Sequence, residues 1–382
     1  MSKQAAGEHT RCEIFGQPDL WQSVYQLILA QETDLQLFLT PLLQRADLQI
    51  LLTGAGSSAF IGEAAQGIVQ ENTGIPTRAV ATTDLVTYPT HYLQAHHPTL
   101  LVSFARSGNS PESAQAVILA NKHCRELYHL VITCNGEGQL LKKVSFDPRN
   151  AFCLVLPDAA NDKSLAMTGS FTSMLLSILL LSDFRNIRAN EARVDCIIAQ
   201  ANRILDRRKN IRLLGEADYE RVVFLGSGPM LAIARECHLK LQELTDGKII
   251  CKHDSFLGFR HGPMAVVNAK TLLVYLFSED QHVFQYERDL AREVMRSDRI
   301  MGTVHLGRHL PGDPHERLNI DLDPGSKGLN VIPATLIGQL LGFYKSLALD
   351  LDPDNPSISG TINRVVKGVI LYENRPNYTD TP

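Results

Sequence analysis

A strand, a glycine turn and a helix occur twice in this chain at one fixed spacing, and that spacing constrains the fold more than any other feature. The apolar run 48–53 ends in Gly54-Ala55-Gly56-Ser57-Ser58, and the run 222–225 ends in Gly226-Ser227-Gly228-Pro229. Gly54 and Gly226 lie 226 − 54 = 172 positions apart, and Leu100-Leu101-Val102 and Leu272-Leu273-Val274 share that offset. Two landmarks at one offset predict a duplicated unit. Short apolar runs alternating with helical patterns predict an α/β fold with a parallel sheet in each copy.

At 382 residues the chain can build two ordinary cores. Residues 1–14 are polar and expected to be disordered, and 18–44 read as one or two helices, so 1–44 forms an N-terminal extension. The first unit, 45–184, has strands expected at 48–53, 77–81, 99–104, 127–133 and 151–156. Its helices are expected at 59–72 and 111–122, with Ser110 as the cap of the latter, a helix and loop before the last strand, and a Ser/Thr-rich core helix ending near 181. The uncharged stretch 164–182 is strongly apolar only over 174–181, too short to span a bilayer. A charged connecting helix, 185–215, leads to a second unit, 216–351, with strands at 222–225, 271–277, 301–306 and 318–322 and helices at 230–246, 284–296 and 334–349. The tail, 352–382, reads as an extended arm packed over the body.

The net charge is −4 with both signs interspersed, which offers neither a nucleic-acid surface nor a membrane-binding basic patch. Seven scattered cysteines without a CxxC pair, and polar opening residues without a secretory signal, suit a reducing cytoplasm and no structural zinc. The 13 histidines supply no ligand pair on one helix face, so no metal site is expected. Gly54-Ala55-Gly56 with Ala59 matches a dinucleotide fingerprint formally, but no acidic residue closes the next strand, and no P-loop occurs; no cofactor is expected.

Two turns carry the chemistry of the first unit. Gly54–Ser58 and Ala105–Ser110 each join a strand to a helix N-terminus, where backbone N–H groups, hydroxyls and the helix dipole favour an anion. Ser57, Ser58, Ser107, Asn109 and Ser110 can donate to a phosphate and Arg106 adds charge, although Ser and Gly also simply make good turns. In the second unit, Glu236, Lys240 and Glu243 share one helix face. Most such spacings are solvated ladders. These three flank the apolar stripe of Ile233, Cys237, Leu241 and Leu244, where charges need partners or a polar cavity. A phosphate cradle and a carboxylate-bearing helix together suggest phosphosugar chemistry, in which a base moves a proton between neighbouring carbons.

The stretches 52–62, 82–87, 107–113, 258–263 and 360–369 resemble the sugar isomerase (SIS) domain, present here twice over roughly 45–368. The resemblance extends to the tagatose-6-phosphate ketose/aldose isomerase type, also described as galactosamine-6-phosphate deaminase, and to the isomerase half of glucosamine-6-phosphate synthase. It implies two tandem αβα sandwiches of the flavodoxin-like or Rossmann-like three-layer kind. It also implies that Ser58, Ser107 and Ser110 bind the sugar phosphate and that Glu243 shuttles the proton between C1 and C2. Glu236 and Lys240 would share its helix face, His261 would help open the ring, reaching a neighbouring subunit's site, and Lys367 would meet the sugar carbonyl. A homodimer or higher oligomer follows from the same likeness. Where the synthase has Ser-Gln, this chain has Ala105-Arg106, and it lacks a glutaminase domain. An amino-sugar reaction would therefore run towards deamination: galactosamine 6-phosphate to tagatose 6-phosphate and ammonia. Plain aldose–ketose isomerisation and a non-catalytic phosphosugar sensor are the competing expectations.

Overall fold

The computed structural model describes residues 6–144, 147–296, 299–366 and 368–372. Three helices open the chain: α1 (Glu8–Phe15), α2 (Gln17–Ala30) and α3 (Glu32–Leu43). The first sheet follows, built from β1 (Gln49–Thr53), β2 (Thr77–Ala79), β3 (Thr99–Ala105), β4 (Leu127–Thr133) and β5 (Ala151–Val155). Its helices are α4 (Ser57–Thr73), the short α5 (Thr82–Thr87) and α6 (Pro89–Tyr92), then α7 (Pro111–His123) and the wholly buried α8 (Gly169–Ser182). After α9 (Glu191–Asp206) and α10 (Arg208–Glu216) the pattern restarts with β6 (Arg221–Gly226), α11 (Pro229–Leu244), β7 (Ile250–Ser255) and α12 (Phe256–Phe259). It closes with β8 (Thr271–Leu276), α13 (Gln281–Val294), β9 (Gly302–Gly307), β10 (Glu316–Asp321) and α14 (Val331–Ala348).

Both sheets are five-stranded and parallel throughout, with orders β2-β1-β3-β4-β5 and β10-β9-β8-β6-β7. Read from the other edge, the second order is β7-β6-β8-β9-β10, which is the first order under the offset read from the sequence. The turns match in detail. Gly56 has φ 57° and ψ −131°, and Gly228 has φ 53° and ψ −125°. Gly54 must lack a side chain, because a Cβ there would lie 2.5 Å from the Ser58 backbone carbon where the strand end closes on the helix start. The two halves meet through α4 and α11, where Arg235 Nη1 pairs with Glu63 Oε1 at 2.6 Å, and these residues are themselves 172 positions apart.

Helix α11 is held by α14. A Cβ at Gly338 of α14 would sit 2.5 Å from Cys237 Cα, so the missing side chain is what lets the two backbones approach. Helix α14 is the one described helix long and apolar enough to cross a membrane, and 83% of it is buried inside the fold.

Four expectations need correction. Residues 8–15 form α1 rather than a disordered stretch: the Asp354 carboxylate accepts from the Thr10 N–H at 2.7 Å and the His9 N–H at 3.1 Å, capping the helix from the far end of the chain. The connecting helix is three pieces, a 3-10 segment (Phe184–Asn190), α9 and α10, with Asn186 off helical geometry. The segment before β5 carries only a 3-10 turn, Leu141–Lys143. Strand β7 was absent from the sequence reading; Cys251-Lys252-His253-Asp254-Ser255 is too polar to read as a strand, and it lies at the sheet edge, where burial demands less.

Candidate active site

A cavity of about 160 Å³ opens at the carboxyl ends of the first sheet. Gly56 and Ser58 from the start of α4, and Ser107, Ser110 and Ser113 around the start of α7, line it. Two helix N-termini therefore converge on one space, each presenting the positive end of its dipole. The hydroxyls are lightly engaged. Ser107 Oγ accepts from the Asn109 N–H at 3.2 Å, and Ser58 Oγ is 3.9 Å from the Met167 sulfur. Ser110 occupies the N-cap position of α7 but makes no capping bond; it donates to Glu112 Oε2 at 2.7 Å. Ser57 and Asn109 lie outside this wall. Asn109 Oδ1 accepts from the Gln139 N–H at 3.1 Å, and Ser57 is buried on the side facing α11.

Arg106 lines the cavity, yet its guanidinium is spent on backbone. It donates to Leu165 O at 3.1 Å and to Arg364 O at 2.7 Å. Arg364 in turn donates to Asp162 O at 2.9 Å and Asn161 Oδ1 at 2.7 Å. Arg106 thus fastens the tail across the mouth of the cradle, where Arg364, Val365 and Val366 form part of the wall. Burial holds the Arg106 pKa below its usual value, partly offset by Asp162 and Glu243.

The second half contributes α11. Its charged face is turned inward, as the helical wheel requires: Glu236 and Lys240 are almost wholly buried, and Glu243 keeps 23% of its side chain exposed. Lys240 Nζ donates to Glu243 Oε2 at 2.6 Å and stands 3.4 Å from Glu236 Oε1. Burial alone would depress the Lys240 pKa; Glu236 and then Glu243 outweigh it and hold the ammonium above its usual value. Burial pushes the Glu236 carboxyl up to about 7, with Lys240 opposing, Glu243 adding, and the Ser57 hydroxyl giving slight relief. Neither Glu236 oxygen has a well-formed hydrogen bond. The two halves of the site therefore touch at Glu236–Ser57 and act on each other electrostatically at Glu243–Arg106.

His261 is exposed on the loop after α12, held by its N–H to Gly258 O at 2.9 Å, and lines no wall of the cradle cavity. Lys367 lies outside the described residues. Sequence reasoning missed Ser113, Glu112, Met167 and Arg364 in the wall. Ser113 was discoverable, being one helical turn beyond Ser110; Arg364 reaches the site only through long-range packing.

A SIS domain model matches residues 42–182. The D-galactosamine-6-phosphate deaminase AgaS of Shewanella sp. (strain ANA-3) is 40% identical over 370 residues, 95% of this chain and 91% of that protein. The crystal structure of tagatose-6-phosphate ketose/aldose isomerase from Escherichia coli aligns with a TM-score of 0.86 at 36% identity, covering 98% of this chain and 99% of that one. The C-terminal domain of glucosamine-fructose-6-phosphate aminotransferase from Francisella tularensis shares the fold, with a TM-score of 0.74 at 18% identity over 93% and 100% of the two chains. A serine cradle between two helix N-termini, on this doubled parallel sheet, defines the SIS class. The chain belongs to that family, in the branch whose curated members carry the name D-galactosamine-6-phosphate deaminase AgaS.

Proposed function

We propose that the protein converts galactosamine 6-phosphate and water to tagatose 6-phosphate and ammonia. The observation that carries this reading is the buried Glu236–Lys240–Glu243 ladder packed against the phosphate cradle, an acid/base array that a binding-only sensor has no use for. Ser58, Ser107, Ser110 and the two helix N-termini hold the phosphate; the Ser110 hydroxyl leaves Glu112 to do so. The opened aminoaldose then loses its C2 proton to Glu243, the carboxylate of the ladder that is reachable from solvent. Lys240 fixes that carboxylate and stabilises the enolate-like charge. Return of the proton at C1 gives a 2-imino sugar, which water converts to the ketose with release of ammonia. His261 assists ring opening in the site of a neighbouring copy, and Lys367, which follows the cavity-lining Val366, meets the carbonyl; both roles come from the resemblance. Residues 45–184 and 216–351 act as the two SIS domains, and seven free cysteines suit a cytoplasmic setting.

The test is ammonia and ketose release from galactosamine 6-phosphate, with glucosamine 6-phosphate in parallel. Equimolar ammonia and ketose from the galacto compound supports the reading. Interconversion of an unaminated aldose and ketose phosphate, with no ammonia from either amino sugar, replaces it with plain isomerisation, the activity named for the Escherichia coli structure.

A further inference from the structure

The second half carries a counterpart of the catalytic cleft, and its chemistry is inverted. A cavity of about 300 Å³ lies beyond the carboxyl ends of β8, β9 and β10, within the size range of small-ligand sites. Shifted by the repeat offset, Met230 stands where Ser58 stands, Glu279 where Ser107 stands and His282 where Ser110 stands. Three cradle hydroxyls have become a thioether, a carboxylate and an imidazole. The ladder is reduced to a single carboxylate. Helix α4 supplies Ala64, Ile68 and Glu71 where α11 supplies Glu236, Lys240 and Glu243.

What remains is an ordered wall of acceptors. Glu279 accepts from Asn330 Nδ2 at 2.7 Å and from the Gly328 N–H. Asn330 is 3% exposed, its Nδ2 also reaches Asp323 O at 2.9 Å, and its Oδ1 has no partner among the described residues. Asp321 stands exposed in the wall. The cations are already engaged. Arg308 donates to Ser278 O and Gln281 Oε1, both at 2.9 Å, and to Glu279 O, and its guanidinium lies 4.9 Å from the centre of the Phe284 ring. His309 Nε2 is 3.2 Å from Glu316 Oε2. Phe277, Met230 and Leu322 complete the wall with apolar surface.

We propose that this cavity is a second, non-catalytic ligand site that takes an unphosphorylated hexosamine. The ammonium and hydroxyl groups donate to Glu279 and Asp321, and the C–H face of the ring lies on the apolar edge formed by Met230, Leu322 and Pro324. A phosphate is refused, because it would meet Glu279 and Asp321 without free donors. The inference does not rest on the reaction proposed for the first half, since its readout is binding.

The test is calorimetric titration of the full chain with galactosamine and with glucosamine. Saturable binding of one hexosamine per chain is expected, unaffected by inorganic phosphate and kept in a Ser107→Ala/Ser110→Ala double variant. Glu279→Gln should weaken it about tenfold, the worth of one charge-assisted hydrogen bond, and leave turnover of sugar phosphate unchanged. If Glu279→Gln does not fold, judged by its melting temperature, Asp321→Asn decides, with a loss of roughly threefold expected. Absence of saturable binding overturns the proposal. So does binding that survives Glu279→Gln or Asp321→Asn but is lost in the serine double variant or displaced by phosphate, which would put the hexosamine in the catalytic cleft.

Discussion

Lys240 is what makes two carboxylates tolerable on one buried helix face. Its ammonium lies 2.6 Å from Glu243 and 3.4 Å from Glu236, so removing it strands negative charge out of water. Lys240→Met should cost about 3–5 kcal/mol of stability in urea melts and abolish most turnover. Glu243→Gln should lower kcat by roughly 10²–10⁴ while sugar-phosphate binding persists; unchanged kcat would remove Glu243 from the role of base. Glu236 predicts a pH signature. Its folded pKa is raised to about 7 from an ordinary 4.5, so its contribution to stability is fully present below pH 4.5 and is lost as pH rises through 7. The difference in stability between the parent chain and Glu236→Gln should therefore shift against the parent over that window, and equal pH slopes would contradict it. The spacing of these three residues, and their place beside the apolar stripe, were legible in the sequence. The depth of burial was not, because it depends on α4 and α14 closing over the same face.

Elements show where local pattern stops informing. Sheet strands with apolar runs were readable, whereas β7 was not, and α1 is capped by Asp354, which no local signal announces. The sequence marked Arg106 as a phosphate ligand by its position in a Ser/Gly turn; it does line the cradle cavity, and long-range packing adds bonds to the backbone of Leu165 and of the tail at Arg364. Arg106→Gln should expose the tail to faster limited proteolysis and lower kcat about tenfold, with KM moving less than roughly threefold. A rise in KM with kcat intact would return Arg106 to the phosphate. Helix α14 offers a second test. Gly338→Ala must push α11 away from its present seat, costing about 1–3 kcal/mol and displacing the ladder, so thermal melts and kcat should fall together.

At the scale of the molecule, the offset of 172 between Gly54 and Gly226 anticipated the shared strand order, because duplicated sequence folds into duplicated topology. Assembly is less legible, since His261 lies exposed and away from the cradle. If it serves a neighbouring copy, mixing inactive Glu243→Gln and His261→Ala chains should restore about a quarter of the parent activity, through mixed dimers that each hold one intact site; no recovery would confine His261 to its own chain. The Glu63–Arg235 pair has a different consequence. Equivalent positions of two repeats can touch only where the pseudo-symmetry axis passes. In two identical halves held by such an axis, a glutamate there would face a glutamate, and an arginine an arginine. Opposite charges at that point are open only to copies joined in one polypeptide, which can drift apart residue by residue. The seam thereby favours each half pairing with the other over pairing with itself, so a chain cut in its connector should reassemble as a heterodimer.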